Sequence, residues 1–463
     1  MELQDIASAC VKCGKCIPAC TTYQLHRDEV HSPRGFLESI YQYTQGNLTL
    51  DASLQNVLDT CFLCNHCVSS CPISLPIDGA IEQMRMRAKK SFFKRFYFFL
   101  LRHRWCMDWV FRLVAFIPPC AFRGGGSSLF KLQFAKKPFL KRYARYVGVI
   151  KAISLKESAP KDVGRQGVAK MHAGQFETLA GCGEERRGQN KAEQKEQSNP
   201  AQNLKKQRVG IFIGCLGNYN YPSIGESLLK ILEILGIEVL LPKQECCGAP
   251  AYFGGDLETS LLLVQRNIAH LESLVDEVDA ILIPEATCAA VMLKDWGKIL
   301  RLGGVGEEWQ ARLSRLMPKM SMATPWLYHA TSLPMLLACC GKQDLTFTYH
   351  DPCHAAGVLG ITQEPRALLA ENFHFYPLED STQCCGFGGV GIQMGHSALA
   401  RRVGARKVDA ILASGASVVS AECSACRVQI SASLAKTLPK EKPYFAHPLE
   451  LIAKALESLP RET

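Results

Sequence analysis

The 463-residue sequence has no uninterrupted apolar run near the ~20 residues that a bilayer-spanning helix requires. Its most apolar stretch, residues 89–120, is broken by Lys94, Arg95, Arg102, Arg104 and Arg112, so a transmembrane helix is not expected. No G-x-G-x-x-G follows a strand-like run, which leaves the chain without a nucleotide fingerprint of its own. Acidic residues are scarce in one place: from Ile81 to Lys151 only Glu82 and Asp108 stand against 17 Lys plus Arg. That segment carries +15 of a net +10, so the rest of the chain is −5. No nucleic-acid reading module accompanies those charges, and nucleic acid is not an expected partner. Met1 to Ala9 has two acidic residues and no apolar core, so no secretory leader is expected. The 22 cysteines are then read as thiols kept reduced in the cytoplasm rather than as a disulfide framework. With 47% apolar and 21% charged residues, the chain is long enough for two or three globular domains.

What the sequence does have is spacing. CVKCGKCIPAC places Cys10, Cys13, Cys16 and Cys20 at C-x2-C-x2-C-x3-C, and Cys61, Cys64, Cys67 and Cys71 repeat it before Pro72. This is the bacterial ferredoxin run, in which three thiolates hold one cubane and the fourth reaches across to the other. Two 4Fe-4S clusters are expected, held by Cys10, Cys13, Cys16 with Cys71 and by Cys61, Cys64, Cys67 with Cys20. Structural zinc prefers C-x2-C pairs separated by a longer loop.

Residues 1–88 read as a helical dicluster ferredoxin domain. Ser32 and Pro33 form a helix start, and Phe36, Leu37, Ile40 and Tyr41 follow at helical spacing. Arg34 is either a donor to a cluster sulfur or a solvated residue on that helix. Residues 89–151 form a basic, aromatic, amphipathic segment. Within it, residues 89–120 suit either peripheral contact with a membrane surface or packing on the core or a partner. Residues 152–207 have almost nothing to bury and read as a disordered linker. Cys106, Cys120 and Cys182 have no partner at ligand spacing.

From Arg208 the texture becomes α/β. RVGIFIG, IEVLL and DAILIP, then TFTYH, FHFYPL and SVVSA, read as strands alternating with helices, giving two homologous lobes, 208–342 and 343–463, with mostly parallel sheets. Cys215 matches Cys353, and Cys246 and Cys247 match Cys384 and Cys385, at an offset of 138; Cys288 is paired with Cys423 at 135. The closing strand is read as WLYHATSLPMLL against YFAHPLELIAKAL, with His329 beside His447. The fold class is thus α+β multidomain, with the lobes facing each other across a pseudo-twofold. Cysteines fall at strand ends and helix starts, where open α/β sheets bind ligands. The second lobe has Cys353, Cys384, Cys385, Cys423 and Cys426, one thiolate more than a cubane needs, so an unusual cluster is expected there. Gly386, Gly388 and Gly389 would let the backbone approach it. In the first lobe Val291 stands at the place assigned to Cys426, and this lobe either holds a lesser cluster or none.

The pattern C-x30-CCG-x36-C-x2-C, with YHDPCHAAGVLGITQEPRALL and QCCGFGG, resembles the cysteine-rich CCG domain of the heterodisulfide reductase B/D subunits. The order of two ferredoxin motifs, basic segment and paired CCG domains is similar to the iron–sulfur subunits of glycolate oxidase and D-lactate dehydrogenase, and to the C subunit of anaerobic glycerol-3-phosphate dehydrogenase. The resemblance implies a third, noncubane-type cluster on Cys353, Cys384, Cys385, Cys423 and Cys426. It also implies an electron-transfer oxidoreductase subunit that passes electrons from an FAD-binding dehydrogenase to a quinone or other membrane acceptor, in the cytoplasm or peripherally on the inner face of the cytoplasmic membrane. The alternative is a thiol/disulfide redox enzyme acting at the C-terminal cluster, with His354 as the nearest proton donor in sequence.

Overall fold

A computed structural model describes residues 2–115, 134–143, 207–437 and 443–459. The expected linker, 152–207, lies outside these residues except for Gln207, as do Cys120, Cys182 and parts of the basic segment.

The ferredoxin section is built from helices, with no strand among its described residues. The longest, Pro33–Thr44, begins as its sequence dictates: Ser32 Oγ accepts from the Gly35 N–H at 2.9 Å, and Pro33 presets φ in the first turn. Phe36, Leu37 and Ile40 are fully buried, packed with Leu3, Ile6 and Ile81.

Each lobe carries a four-stranded all-parallel sheet. In the first, β1 (Arg208–Ile211), β2 (Glu238–Leu240), β3 (Ala280–Ile283) and β4 (Met320–Met322) lie in the order β2-β1-β3-β4. In the second, β5 (Thr346–Tyr349), β6 (His374–Phe375), β7 (Val418–Ser420) and β8 (Tyr444–Ala446) lie in the order β6-β5-β7-β8. Apolar residues fill both faces of the central strands, as parallel sheets flanked by helices require. Val209 pairs with Ala280 as Phe347 pairs with Val418, so the offset of 138 holds in both central strands. The fourth strand corrects the sequence reading. It is Met320–Met322, not WLYH, and His329 lies in the helix Ala323–Ala330.

The lobes are not independent bodies. The helix Pro222–Ile234, which follows β1, packs on Pro448–Ala455, which follows β8. Reciprocally, Gln363–Ala370 after β5 packs on Ala323–Ala330 after β4. Exchanging the lobes returns the same pairs, which is the signature of a pseudo-twofold. Both large apolar cores draw residues from both lobes, so the interior is continuous.

The aromatic segment is two-faced. Helices Phe92–Arg102 and Arg104–Ala115 bury Phe98, Leu100, Leu101 and Met107 in the core shared with the first lobe. Arg102 is tied to Thr259 (2.6 Å) and Glu258 (2.8 Å), and Lys94 to Asp59 (3.1 Å). The other face leaves Phe92, Phe96, Trp105, Trp109 and Leu113 open, Phe92 at 76% and Trp105 at 69% exposure. No helix among the described residues is long and apolar enough to cross a membrane.

Candidate metal centres

The two ferredoxin loops have the same shape. Lys12 and Gly14 (φ 56° and 80°) surround Cys13, as Leu63 and Asn65 (φ 50° and 61°) surround Cys64. A left-handed lysine or leucine costs roughly 1–2 kcal/mol, so both loops hold a conformation that only a feature in their interior would justify. One recess is lined by Cys20, Cys61, Cys64 and Cys67; the other by Cys10, Cys13, Cys16 and Cys71. The fourth cysteine of each motif thus lies with the first three of the other. Backbone N–H groups point at sulfur: Tyr23 at Cys20 (3.4 Å) and Leu63 at Cys61 (3.5 Å). Burial pushes the Cys67 thiol well up, and the neighbouring Cys61, Cys64 and Cys20 push it further; Cys20 is pushed up to about 12, chiefly by burial. Four sulfurs so crowded ionise together only around a cation, and all-thiolate sets with N–H donors fit iron–sulfur clusters.

Arg34 donates to the Lys12 carbonyl (3.0 Å) and to Glu29 (2.6 Å), which makes it a brace of the first loop. No sequence signal pointed to Arg85. Only 5% exposed, it donates to the Cys61 carbonyl (2.7 Å) and, across the domain boundary, to that of Phe253 (3.2 Å). Tyr252 likewise donates to the buried Glu82 carboxyl at 2.8 Å, fixing the ferredoxin section on the first lobe.

In the second lobe the strand order reverses direction between β5 and β7, the crevice where such sheets bind ligands. Cys353 follows β5, and Cys423 caps the start of the helix Ser424–Thr437 that follows β7. Cys384 and Cys385 come in on a loop, and Cys426 lies one turn into that helix. Cys353 senses Cys385 and Cys423, and Cys385 hydrogen-bonds Cys384 and Cys426, so the five expected residues are brought together. Hydrogen bonds from Cys384 and Cys426 hold the Cys385 thiol well below its ordinary range, while the same contacts raise its two partners. The Gly386 N–H points at Cys384 Sγ (3.4 Å), and two of the glycines also have close neighbours outside the cysteine group. A Cβ on Gly386 (φ +90°) would fall 2.7 Å from the Ala400 carbonyl, and one on Gly388 (φ +60°) 2.7 Å from Phe62. They admit a helix and the ferredoxin section.

Near these cysteines His350 is only 1% exposed, and the Lys407 ammonium, also buried, donates to the Asp380 carbonyl at 2.9 Å. The motif YHDPC carried His350 in plain view, but reading it as a strand end hid its side chain. His354 is stacked on Phe253, its Nδ1 3.2 Å from Thr287 Oγ1 and 4.0 Å from Cys353 Sγ. Desolvation lowers its pKa to about 4.

The first lobe gathers Cys215, Cys246, Cys247 and Cys288 into one hydrogen-bonded chain of thiols. The register of the sheets revises their correspondence. At the offset of 138, helix Ala286–Ala290 aligns with the start of Ser424–Thr437, so Cys288 answers to Cys426 and Glu285 to Cys423. The missing thiolate is therefore replaced by Glu285, not by Val291, which is a fully buried apolar residue. Glu285 instead reaches the other lobe, accepting from Ser424 N–H at 2.8 Å and from the Ser424 hydroxyl. Thr287, beside Cys288, lies 3.6 Å from Cys423 Sγ.

The ferredoxin section also touches the second lobe. Cys64 packs in one cluster with Cys384 and Cys353, together with Leu25, Phe62 and Ile392, and both lobe cysteines sense its charge. At the other end Cys13 is exposed, beside Val11 (70%) and Ile73 (52%).

Comparison with known proteins agrees with this layout. A 4Fe-4S dicluster domain matches residues 6–75, and a cysteine-rich (CCG) domain matches 209–293 and again 347–431. Both ends of the repeated match are separated by the offset seen in the sheets. The chain is 25% identical over 389 residues to a probable glycolate oxidase iron–sulfur subunit of Bacillus subtilis, covering 82% of this chain and 79% of that one. It is 30% identical to lactate utilization protein A of an Exiguobacterium species, over 49% of this chain and 90% of the relative. It is also 32% identical to one component of the fumarate reductase (CoM/CoB) of Methanothermobacter marburgensis, over 50% of this chain but only 42% of that protein.

Proposed function

Because the chain belongs to the family of iron–sulfur oxidoreductase subunits that join a 4Fe-4S dicluster domain to paired cysteine-rich CCG domains, we propose that it is the electron-transfer subunit of an FAD-linked 2-hydroxy-acid dehydrogenase of the glycolate oxidase or D-lactate dehydrogenase type. A flavoprotein partner oxidises the substrate, and this chain passes the electrons toward a membrane quinone or other carrier. Bound clusters supply one-electron carriers; the chain supplies their order, burial and hydrogen bonding.

The observation that carries the reading is that Cys64 shares one apolar cluster with Cys384 and Cys353 and is felt electrostatically by both. It supports three cages in series: Cys10, Cys13, Cys16 and Cys71 outermost, Cys61, Cys64, Cys67 and Cys20 in the middle, and Cys353, Cys384, Cys385, Cys423 and Cys426 innermost. The exposed Val11, Cys13 and Ile73 offer the flavoprotein an apolar face beside the outermost set. The open aromatic side of residues 92–113 supports peripheral contact with the membrane that holds the acceptor.

The test is anaerobic purification of the tagged full chain from its own cells. Copurification of an FAD-containing dehydrogenase that reduces a quinone analogue with a 2-hydroxy acid is the expected result. A chain that purifies without flavin and by itself reduces a disulfide with a thiol-linked donor would overturn the proposal.

A further inference from the structure

His350 is the one buried histidine of the second lobe, among the described residues, that faces sulfur with an unused nitrogen. It follows β5 directly, and its Nδ1 lies 3.1 Å from the Ser381 carbonyl oxygen. A carbonyl only accepts, so Nδ1 carries the proton. Burial (1% exposed) and the Lys407 ammonium, which donates to the same Ser381 carbonyl and to that of Asp380, both disfavour a charged ring. Nε2 is therefore a lone pair. It is buried with no hydrogen bond of normal geometry, although sulfur faces it. A ring nitrogen of His350, Cys385 Sγ and Cys426 Sγ all lie within 4.8 Å of one another, and with Nδ1 taken by the Ser381 carbonyl, Nε2 is the nitrogen left to serve them.

Once both sulfurs are thiolates, as ligands of a cluster must be, a lone pair turned toward them is repulsive unless a cation stands between them. Metal bonds of about 2.0–2.1 Å to nitrogen and about 2.3 Å to sulfur fit within that spacing. The Nδ1–H to carbonyl bond is also how protein-bound metals usually find their histidines oriented. We propose that His350 Nε2 is a ligand to the iron–sulfur centre of the second lobe, which thereby has five thiolates and one imidazole. The inference rests on reading Cys353, Cys384, Cys385, Cys423 and Cys426 as that centre's cage.

The first lobe supplies a comparison within the same chain. At the offset of 138 its counterpart of His350 is Phe212, fully buried. Glu285 has replaced Cys423 in the same lobe, so the first lobe lacks both the nitrogen and the fifth sulfur. His354, the other histidine near the cage, has its Nδ1 engaged by Thr287.

The experiment uses the full chain, reconstituted anaerobically with iron and sulfide and labelled with 15N-histidine. Pulsed EPR is recorded on the signal that a Cys385→Ser variant lacks. The expected result is an isotope-dependent coupling of a directly bound nitrogen, kept in His354→Gln and lost in His350→Phe, which installs the ring the first lobe already buries at this place. Presence of the signal without any histidine coupling in the unsubstituted chain overturns the ligand but leaves the cage standing. A coupling that survives in His350→Phe overturns it equally, even if the variant's signal is otherwise altered. Should the unsubstituted chain give no signal that depends on Cys385, the cage itself falls, and the ligand with it.

Discussion

The Glu285 carboxylate of the first lobe accepts a hydrogen bond from the backbone N–H of Ser424 in the second at 2.8 Å. It occupies the place of Cys423 yet holds the other lobe, satisfying a free N–H at the start of the helix Ser424–Thr437. Glu285→Ala would leave that N–H and the Ser424 hydroxyl buried without an acceptor, a loss of roughly 1–3 kcal/mol. Thermal unfolding should show a lower midpoint for Glu285→Ala than for Glu285→Gln, whose amide oxygen still accepts. Equal midpoints for the alanine variant and the unsubstituted chain would remove the clamp.

A second bond between the lobes sets a pH dependence. His447 Nε2 donates to the Pro284 carbonyl (3.1 Å), and its Nδ1 accepts from the Leu449 N–H (3.2 Å), so the folded chain uses the neutral ring. Burial lowers its pKa to about 4. As pH falls below the unfolded value of about 6.5 the unfolded chain takes up the proton first, so stability declines from there and levels off below about 4. The ceiling is roughly 3 kcal/mol for a shift of this size. Denaturant midpoints measured at pH 7.5 and 4.5 should fall further for the unsubstituted chain than for His447→Gln. A difference between the two that does not change with pH would refute the linkage.

Much of this architecture was legible because it rests on spacing. The two ferredoxin motifs, the six strands β1 to β3 and β5 to β7, and the helix start at Ser32 are local signals, and each is where the residues put it. The sequence misled where two nearby alignments compete. Pairing Cys288 with Cys423 keeps cysteine opposite cysteine but shifts the helix by three residues, and only the strand register decides against it. The fourth strand was missed because Met320–Met322 is short and WLYH is richer in aromatic residues. Arg85, His350 and Glu285 act through contacts with residues remote in sequence, a relation that periodicity does not encode.

The crossed grouping around the two recesses gives a selective outcome. Cys71 lines the recess of Cys10, Cys13 and Cys16, not that of its own motif. Cys71→Ser should therefore disturb the outermost centre and spare the one held by Cys20, Cys61, Cys64 and Cys67. Iron in the ferredoxin section should drop by about four of eight atoms at most. Cys20→Ser should do the reverse, and redox titration of each variant should retain a different one of two couples. Loss of the same couple in both variants would contradict the crossed arrangement.

The aromatic segment separates into two classes of substitution because its faces do different work. Phe98 is 2% exposed in the core, and Phe98→Ala should cost roughly 3–5 kcal/mol of stability. Trp105 and Trp109 are 69% and 59% exposed, so replacing both with serine removes little packing and should leave the unfolding midpoint nearly unchanged. If that face meets lipid, the double variant should lose most of its sedimentation with anionic phospholipid vesicles, and binding by the unsubstituted chain should weaken as salt screens the surrounding cations. Neutral vesicles distinguish the two contributions, since only the aromatic insertion remains there. Undiminished sedimentation of the stable double variant would assign the open aromatic face to a protein partner, because an exposed apolar stripe of this kind still requires a cover.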